Sequence, residues 1–263
     1  MTGTSVGPLE AALRARRDSG AKLLVPYVTG GLDDQWVSVV KAIAGAGADA
    51  IEIGIPFSDP VMDGPIIQEA SARALARGAT PVGILSAISQ VEIGVPLTVM
   101  TYYNLVFRAG LEDFARSLAG SGIAGAIVPD LPLEELDEWG DAAGAAGVET
   151  ILLAAPTTDD DRLAQICRRS RGWVYGVGLM GVTGERTGLA ASATLMGKRL
   201  KAVTDKPVLI GVGVSTPEQA AEACAHADGV IVGSALVRRL VEGQGPAGAA
   251  RFVAELRAGL DAR

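Results

Sequence analysis

The stretch AIEIGIPFSDPVMDGP, residues 50–65, decides the fold of this chain. A short apolar run carrying one acid, Glu52, ends in a proline-rich loop that carries Asp59 and Asp63. Short, near-continuous apolar runs are typical of strands that are covered on both faces of a parallel sheet. An acid inside such a strand is removed from water, which raises its pKa toward the range useful for proton transfer. A structural ion pair is the alternative.

The same succession of an apolar run, a turn and a helical segment recurs along the whole chain. Parallel strands need crossovers, usually helices, to connect them. Eight such units in about 250 residues are typical of a TIM barrel, although an open doubly wound sheet also fits the pattern. We therefore expect an α/β fold, a single (β/α)8 barrel domain over residues 1–263. The predicted strands begin at Leu23, Asp49, Pro96, Gly125, Glu149, Trp173, Pro207 and Gly229.

Two helices are expected beyond the regular pattern. Residues 65–92 are too many for one crossover helix, so an extra helix, IIQEASARALARG, is predicted after the second strand, ahead of PVGILSAISQVE. An extra N-terminal helix from Pro8 to Ser19 precedes the first strand. We expect this helix to close the floor of the barrel.

Catalytic groups of such barrels collect at the carboxyl ends of the strands. Successive side chains of a strand point to opposite faces, so Glu52 lies on one face and Ile51 and Ile53 on the other. Gly54 is expected to leave room beside the acid. If Glu52 faces the interior, it holds its proton, whereas Asp63 in its polar loop ionises more readily; such a pair can divide acid and base roles. Polar residues and glycines in or just after the predicted strands are Thr29, Glu52, Asp63, Tyr102, Asn104, Asp130, Thr183, Gly213 and Ser234.

Glycine-rich segments at the last strands predict a phosphate site. GVGVS from Gly211 ends the seventh strand, and VGSAL from Val232 ends the eighth just before a short helix. Glycines let backbone amides approach an anion, and a helix N-terminus adds donors. Gly213 would offer an amide and Ser234 a hydroxyl; tight turns are the alternative. The glycine-rich segment from Leu179 is predicted to be a mobile lid, with a purely structural loop as the alternative.

The side-chain inventory disfavours other chemistries. His226 is the only histidine, which leaves neither a multi-histidine metal site nor a Ser/His/Asp triad. No lysine falls at the carboxyl end of a predicted strand, and no GxGxxG motif follows one, so Schiff-base and dinucleotide chemistry are disfavoured. We expect no cofactor and no metal. The chemistry that this inventory still allows is acid–base catalysis by carboxylates, acting on a phosphorylated small molecule.

Charge and hydropathy limit the partners. The 23 basic and 30 acidic side chains give a net charge of −7, which disfavours binding to nucleic acid and to membranes. The sequence shows no signal-peptide pattern and no run of about 18 apolar residues that could span a bilayer. Cys167 and Cys224 lack a metal-like spacing and are expected to be packed thiols. A cytoplasmic protein is expected.

In order along the chain, several motifs resemble those of the tryptophan synthase alpha subunit family. They are IEIGIPFSDPVMDGPIIQ, VMTYYNLVF, IVPDLPLEE, GVTG, GVGVSTPEQ and VIVGSALV, and they span about Val25 to Val241. The resemblance implies a barrel that cleaves indole-3-glycerol phosphate to indole and glyceraldehyde 3-phosphate. This lyase reaction belongs to tryptophan biosynthesis and uses neither a metal nor a Schiff base.

The resemblance also implies roles for particular residues. Glu52 matches the general acid and base, and Asp63 the carboxylate that binds the indole nitrogen. Tyr175 matches a tyrosine beside the substrate hydroxyls, and Thr183 a lid residue that contacts Asp63 on closure. Tyr102, just after the third predicted strand, is a further candidate for substrate binding. The implied phosphate cradle comprises Gly184, Gly213, Gly233 and Ser234.

Family members work beside a pyridoxal-phosphate beta subunit in an alpha2beta2 assembly, and such a partner is expected here. GIPFSDP, Asn104 and Pro132 match the implied contact. Val212 stands where many members have phenylalanine beside the indole, so the pocket wall is expected to be thinner. The alternatives are a stand-alone lyase that releases indole for specialised metabolism, a phosphosugar isomerase or epimerase, and a noncatalytic binding subunit.

Overall fold

Eight parallel strands form a closed barrel in chain order. The computed structural model describes residues 6–178, 186–211 and 213–262, of which residues 186–190 are described by their backbone alone. Leu23 pairs with Gly229, which joins the first strand to the last and excludes an open sheet. The predicted barrel is therefore confirmed. Its strands are β1 (Leu23–Thr29), β2 (Ile51–Gly54), β3 (Leu97–Met100), β4 (Ile123–Ile127), β5 (Glu149–Ala154), β6 (Val174–Val177), β7 (Val208–Gly211) and β8 (Gly229–Val232).

Helices surround the barrel, and two of them, α3 and α4, lie between β2 and β3 as predicted. Both begin with a proline in the first turn, and Thr80 caps α4 by accepting the Gly83 N–H at 3.1 Å. None of the described helices is both long and apolar enough to cross a membrane. The helices are α1 (Pro8–Asp18), α2 (Trp36–Gly45), α3 (Pro65–Ala76), α4 (Pro81–Ser89), α5 (Tyr103–Ala109), α6 (Leu111–Gly120), α7 (Leu136–Ala145), α8 (Asp160–Arg169), α9 (Arg186–Lys201), α10 (Pro217–Ala223), α11 (Ser234–Val241) and α12 (Gly245–Asp261).

Two helices, α5 and α12, were not predicted. Helix α5 has only 7 residues, too few for a clear apolar period, and its first N–H, on Tyr103, is bound by the Asp130 carboxylate at 2.8 Å. Helix α12 packs against α2 and buries Phe252 and Leu256. The ring of helices around the barrel is therefore more elaborate than the strand–helix pattern suggests.

Helix α1 closes the floor of the barrel, as predicted. Leu9 and Leu13 are fully buried and belong to the apolar cluster of the barrel interior, together with Ile151 and Trp173. The Glu149 carboxylate, at the start of β5, accepts the Leu9 N–H at 2.6 Å. A carboxylate at a helix N-terminus satisfies donors that have no partner within the helix. This contact fixes α1 beneath the strands.

Candidate active site

A cavity of about 530 Å³ opens at the carboxyl ends of the strands. Its wall is formed by residues of the barrel interior and by the loops that follow the strands, which is where such barrels hold their catalytic groups. Thr183, Gly184 and Val212 lie outside the described residues. The predicted site residues that the structure brings together in this wall are Glu52, Asp63, Tyr175, Gly213, Gly233 and Ser234.

Glu52 faces the interior of the barrel. Its neighbours Ile51 and Ile53 pack in the outer layer between strands and helices, whereas Glu52 lines the cavity with only 1% of its surface exposed. Its Oε2 has no hydrogen-bond partner among the described residues, and no described cation acts on it, which disfavours the ion-pair interpretation. Burial, with a smaller contribution from the charge of Asp63, raises the pKa of Glu52 to about 8. This acid holds its proton at neutral pH.

Asp63 lies in the loop after β2 and is half-buried. The Tyr102 hydroxyl donates to its Oδ2 at 3.1 Å and itself accepts the Met62 N–H at 3.0 Å. Burial raises the pKa of Asp63, and the hydrogen bond from Tyr102 opposes this rise. Because Tyr102 donates to Asp63 and no described residue donates to Oε2 of Glu52, Asp63 gives up its proton at a lower pH than Glu52. The Phe57 ring stacks on Tyr102 at a centroid distance of 4.9 Å and holds it in place.

Two tyrosines complete the interior of the cavity, and each lies over a glycine of a neighbouring strand. A Cβ atom on Gly211 would lie 2.8 Å from the Tyr175 hydroxyl, and one on Gly54 would lie 1.8 Å from that of Tyr27. The room left by Gly54 therefore holds the Tyr27 ring, and its assignment to the acid was wrong. Tyr27 itself was missed. Its position on the interior face of β1, beside a glycine-containing strand, was the available signal.

The anion end of the cavity is built from backbone groups. Gly213 has φ +69°, a left-handed conformation that favours glycine. Gly233 and Ser234 line the cavity where α11 begins, so the free N–H groups of the first helical turn are available to an anion. Among the described lining residues, Arg162 is the one cation, and Glu134 binds its guanidinium. An anionic group would thus be held mainly by amides.

The closed barrel and its cavity define a class of protein: (β/α)8 barrels that hold their functional groups, here the carboxyls of Glu52 and Asp63, at the carboxyl ends of the strands. The family model described as tryptophan synthase alpha chain matches residues 13–259. The chain is 42% identical to the tryptophan synthase alpha chain of Thermobifida fusca, over 97% of this chain and 98% of that one. It is 46% identical to that of Gloeobacter violaceus, over 88% and 84%.

A solved structure of Mycobacterium tuberculosis tryptophan synthase superposes with a TM-score of 0.90 and 39% identity, covering 97% of this chain and 99% of that one. The agreement extends over nearly the full length of both chains. This chain belongs to the tryptophan synthase alpha chain family.

Proposed function

We propose that this chain cleaves indole-3-glycerol phosphate to indole and glyceraldehyde 3-phosphate, with Glu52 transferring the proton and Asp63 stabilising charge. The alpha subunit of tryptophan synthase is a lyase that catalyses this cleavage in tryptophan biosynthesis, and the chain belongs to its family. The observation that carries the residue assignment is that Glu52 is a buried carboxyl in the wall of the cavity, and that its Oε2 has no hydrogen-bond partner among the described residues. Family membership supports the reaction, whereas the roles of Glu52 and Asp63 are supported by the geometry of the cavity.

The first step needs an acid. Protonated Glu52 donates its proton to the ring carbon that bears the side chain, and the ring nitrogen gains positive charge. Ionised Asp63 stabilises that charge, because an opposite charge in a site shielded from water interacts strongly. Tyr102, which donates to Asp63, keeps the carboxylate oriented.

The second step needs a base. Glu52, now ionised, takes the proton of the neighbouring hydroxyl; the carbon–carbon bond then breaks and its electron pair restores the aromatic indole. Glu52 recovers its proton, so the cycle consumes none. Tyr175 contacts the substrate hydroxyls. The phosphate lies among Gly213, Gly233 and Ser234, and the proposed cradle also includes Gly184, with Thr183 as a lid residue.

We propose a tryptophan synthase beta subunit as the partner, in an alpha2beta2 assembly that supplies the pyridoxal phosphate from the other chain. The loop after β2 and helix α5 support this, because they present large apolar side chains to solvent near the mouth of the cavity: Val61 is 80% exposed, Met62 58% and Phe107 64%. Exposed apolar patches of this kind mark interaction sites. Asn104 and Pro132 are exposed as well. The cytoplasm is the proposed location.

Incubation with indole-3-glycerol phosphate, alone and with a candidate beta subunit, tests the proposal. Indole formation is expected in both cases, and a stand-alone lyase would gain nothing from the partner. Turnover of phosphosugars without indole formation would favour the isomerase or epimerase. Binding of the substrate without cleavage, with and without the partner, would favour a noncatalytic subunit.

A further inference from the structure

Tyr27 lies close to both acids of the site, since the charges of Asp63 and Glu52 both act on its hydroxyl. It is the register partner of Glu52 on the neighbouring strand, and its hydroxyl lies over Gly54. Residues 52 and 54 share the interior face of β2, about 7 Å apart along the strand. The hydroxyl makes no hydrogen bond to Oε2 of Glu52 in this structure, but this spacing lets it reach the Glu52 side chain through one water molecule.

The surroundings of Tyr27 keep its hydroxyl neutral. Burial raises the pKa of Tyr27 well above its ordinary value, the charges of Asp63 and Glu52 raise it further, and the Thr29 side chain opposes the rise. The other described titratable groups acting in this cluster are Tyr102 and Tyr175, and no described cation is among them. A neutral hydroxyl close to two acids can donate a hydrogen bond and keeps its own proton.

The reaction creates a need for such a donor. Once Glu52 has protonated the substrate it is a buried carboxylate, and its Oε2 has no partner among the described residues. A buried charge without a hydrogen bond is strongly disfavoured. Asp63 does not share this problem, because Tyr102 already donates to it.

We propose that Tyr27 is a positioning residue whose hydroxyl supports the ionised member of the acid pair. It donates toward Asp63 while Glu52 holds the proton, and turns to Oε2 of Glu52 after that proton has moved to the substrate. The link to Oε2 runs through one water molecule, because the Tyr27 hydroxyl and Oε2 are not hydrogen-bonded to each other in this structure. Tyr27 neither gains nor loses a proton. This inference rests on the proposed function of Glu52 and Asp63.

Tyr27→Phe keeps the ring over Gly54 and removes only the hydroxyl. Tyr103→Phe is the matched control, because Tyr103 lies in α5 and does not line the cavity. With indole-3-glycerol phosphate, Tyr27→Phe is expected to lower kcat roughly tenfold, the loss of one hydrogen bond to a charged group, with little change in KM. Both limbs of its pH–rate profile should move to higher pH, because each carboxylate loses a donor that favours its ionised form.

A second measurement needs no activity. Urea unfolding midpoints of the wild type and both variants are compared from about pH 5 to about pH 9, a range that includes the pKa of Glu52 at about 8. The midpoint loss caused by Tyr27→Phe should grow with pH, whereas any loss caused by Tyr103→Phe should stay constant. This follows from linkage, since the hydroxyl stabilises the folded state more when the acids are charged.

A pH-independent midpoint loss together with unmoved pH–rate limbs would overturn the proposal and reduce Tyr27 to a packing residue. If no protein, the wild type included, forms indole, the proposed function fails. The unfolding midpoints would then still decide whether Tyr27 supports the two carboxylates.

Discussion

Two glutamates inside the barrel make an instructive comparison. Glu52 and Glu149 are exposed by only 1% and 4%, and each lies on a strand of the barrel. The carboxylate of Glu149 accepts the N–H groups of Leu9 at 2.6 Å and Glu10 at 3.2 Å, whereas Oε2 of Glu52 accepts none from the described residues. Glu149 fixes a helix beneath the barrel, whereas Glu52 faces the cavity, where its Oε2 has no hydrogen-bond partner in the described part of the chain.

The difference shows that burial alone does not make an acid functional. Burial raises the pKa of both glutamates, but the backbone donors of Leu9 and Glu10 oppose the rise at Glu149, while the charge of Asp63 adds to it at Glu52. A carboxylate saturated with hydrogen bonds is held in one state. An unpartnered one can change its protonation during a reaction.

The largest expected effect is on turnover. Glu52→Gln removes the transferable proton without changing the size of the side chain, so indole formation should fall on the order of 10² to 10⁴-fold. Circular dichroism and substrate binding should stay close to those of the wild type. Near wild-type indole production by Glu52→Gln would show that Glu52, like Glu149, has no catalytic role.

Asp63→Asn tests the charge that separates the two acids. It leaves an oxygen for the Tyr102 hydroxyl but no negative charge near the indole nitrogen, and the rate of cleavage should fall on the order of 10² to 10³-fold. The pKa of Glu52 should also fall from its value of about 8, because Asp63 contributes to raising it. The upper limb of the pH–rate profile of Asp63→Asn reports this shift, and an unmoved limb would contradict it.

The pH dependence of stability sharpens the comparison. The pKa of Glu52 is about 8 in the folded protein and 4.5 for a free side chain. Between these values the folded state holds a proton that the unfolded state has lost, so the contribution of Glu52 to stability falls as pH rises. Glu52→Gln should therefore gain stability relative to the wild type from pH 4 to pH 9, on the order of a few kcal/mol. Urea unfolding at several pH values measures this; a constant difference would show an ordinary pKa.

Glu149→Ala should have the opposite effects to Glu52→Gln, lowering stability and leaving turnover unchanged. It leaves the N–H groups of Leu9 and Glu10 without their acceptor, and the free energy of unfolding should fall by about 1–3 kcal/mol. The rate of indole formation by the folded variant should not change, because Glu149 lies at the far end of the barrel from the proposed catalytic groups. A loss of turnover without a loss of stability would contradict the structural role of Glu149.

The fold could be predicted because it depends on patterns that lie within short stretches of the sequence. Eight apolar runs separated by helical segments determine the barrel, and the long interval after β2 determines α3 and α4. The elements that escaped prediction depend on distant partners. Helix α5 is short and takes its cap from Asp130, 27 residues away, and the contact between Leu9 and Glu149 spans 140 residues.

Local patterns also indicate part of the candidate site, whose catalytic roles stay predictions. Glu52 and Asp63 stand out within one stretch of sequence, and Gly213, Gly233 and Ser234 follow strands that carry the glycine signal. Tyr27 depends on the pairing of β1 with β2, which places its ring over Gly54. Thr183 and Gly184 stay predictions, since they lie outside the described residues.

The most direct test is the ionisation of Glu52 itself. Carboxyl ¹³C chemical shifts of protein labelled at glutamate can be followed against pH, with Glu52→Gln and Glu149→Gln identifying the two buried signals. The signal that disappears in Glu52→Gln should titrate at about pH 8. Titration of that signal near 4.5, the value of a free glutamate, would contradict the account of Glu52 as a protonated acid at neutral pH.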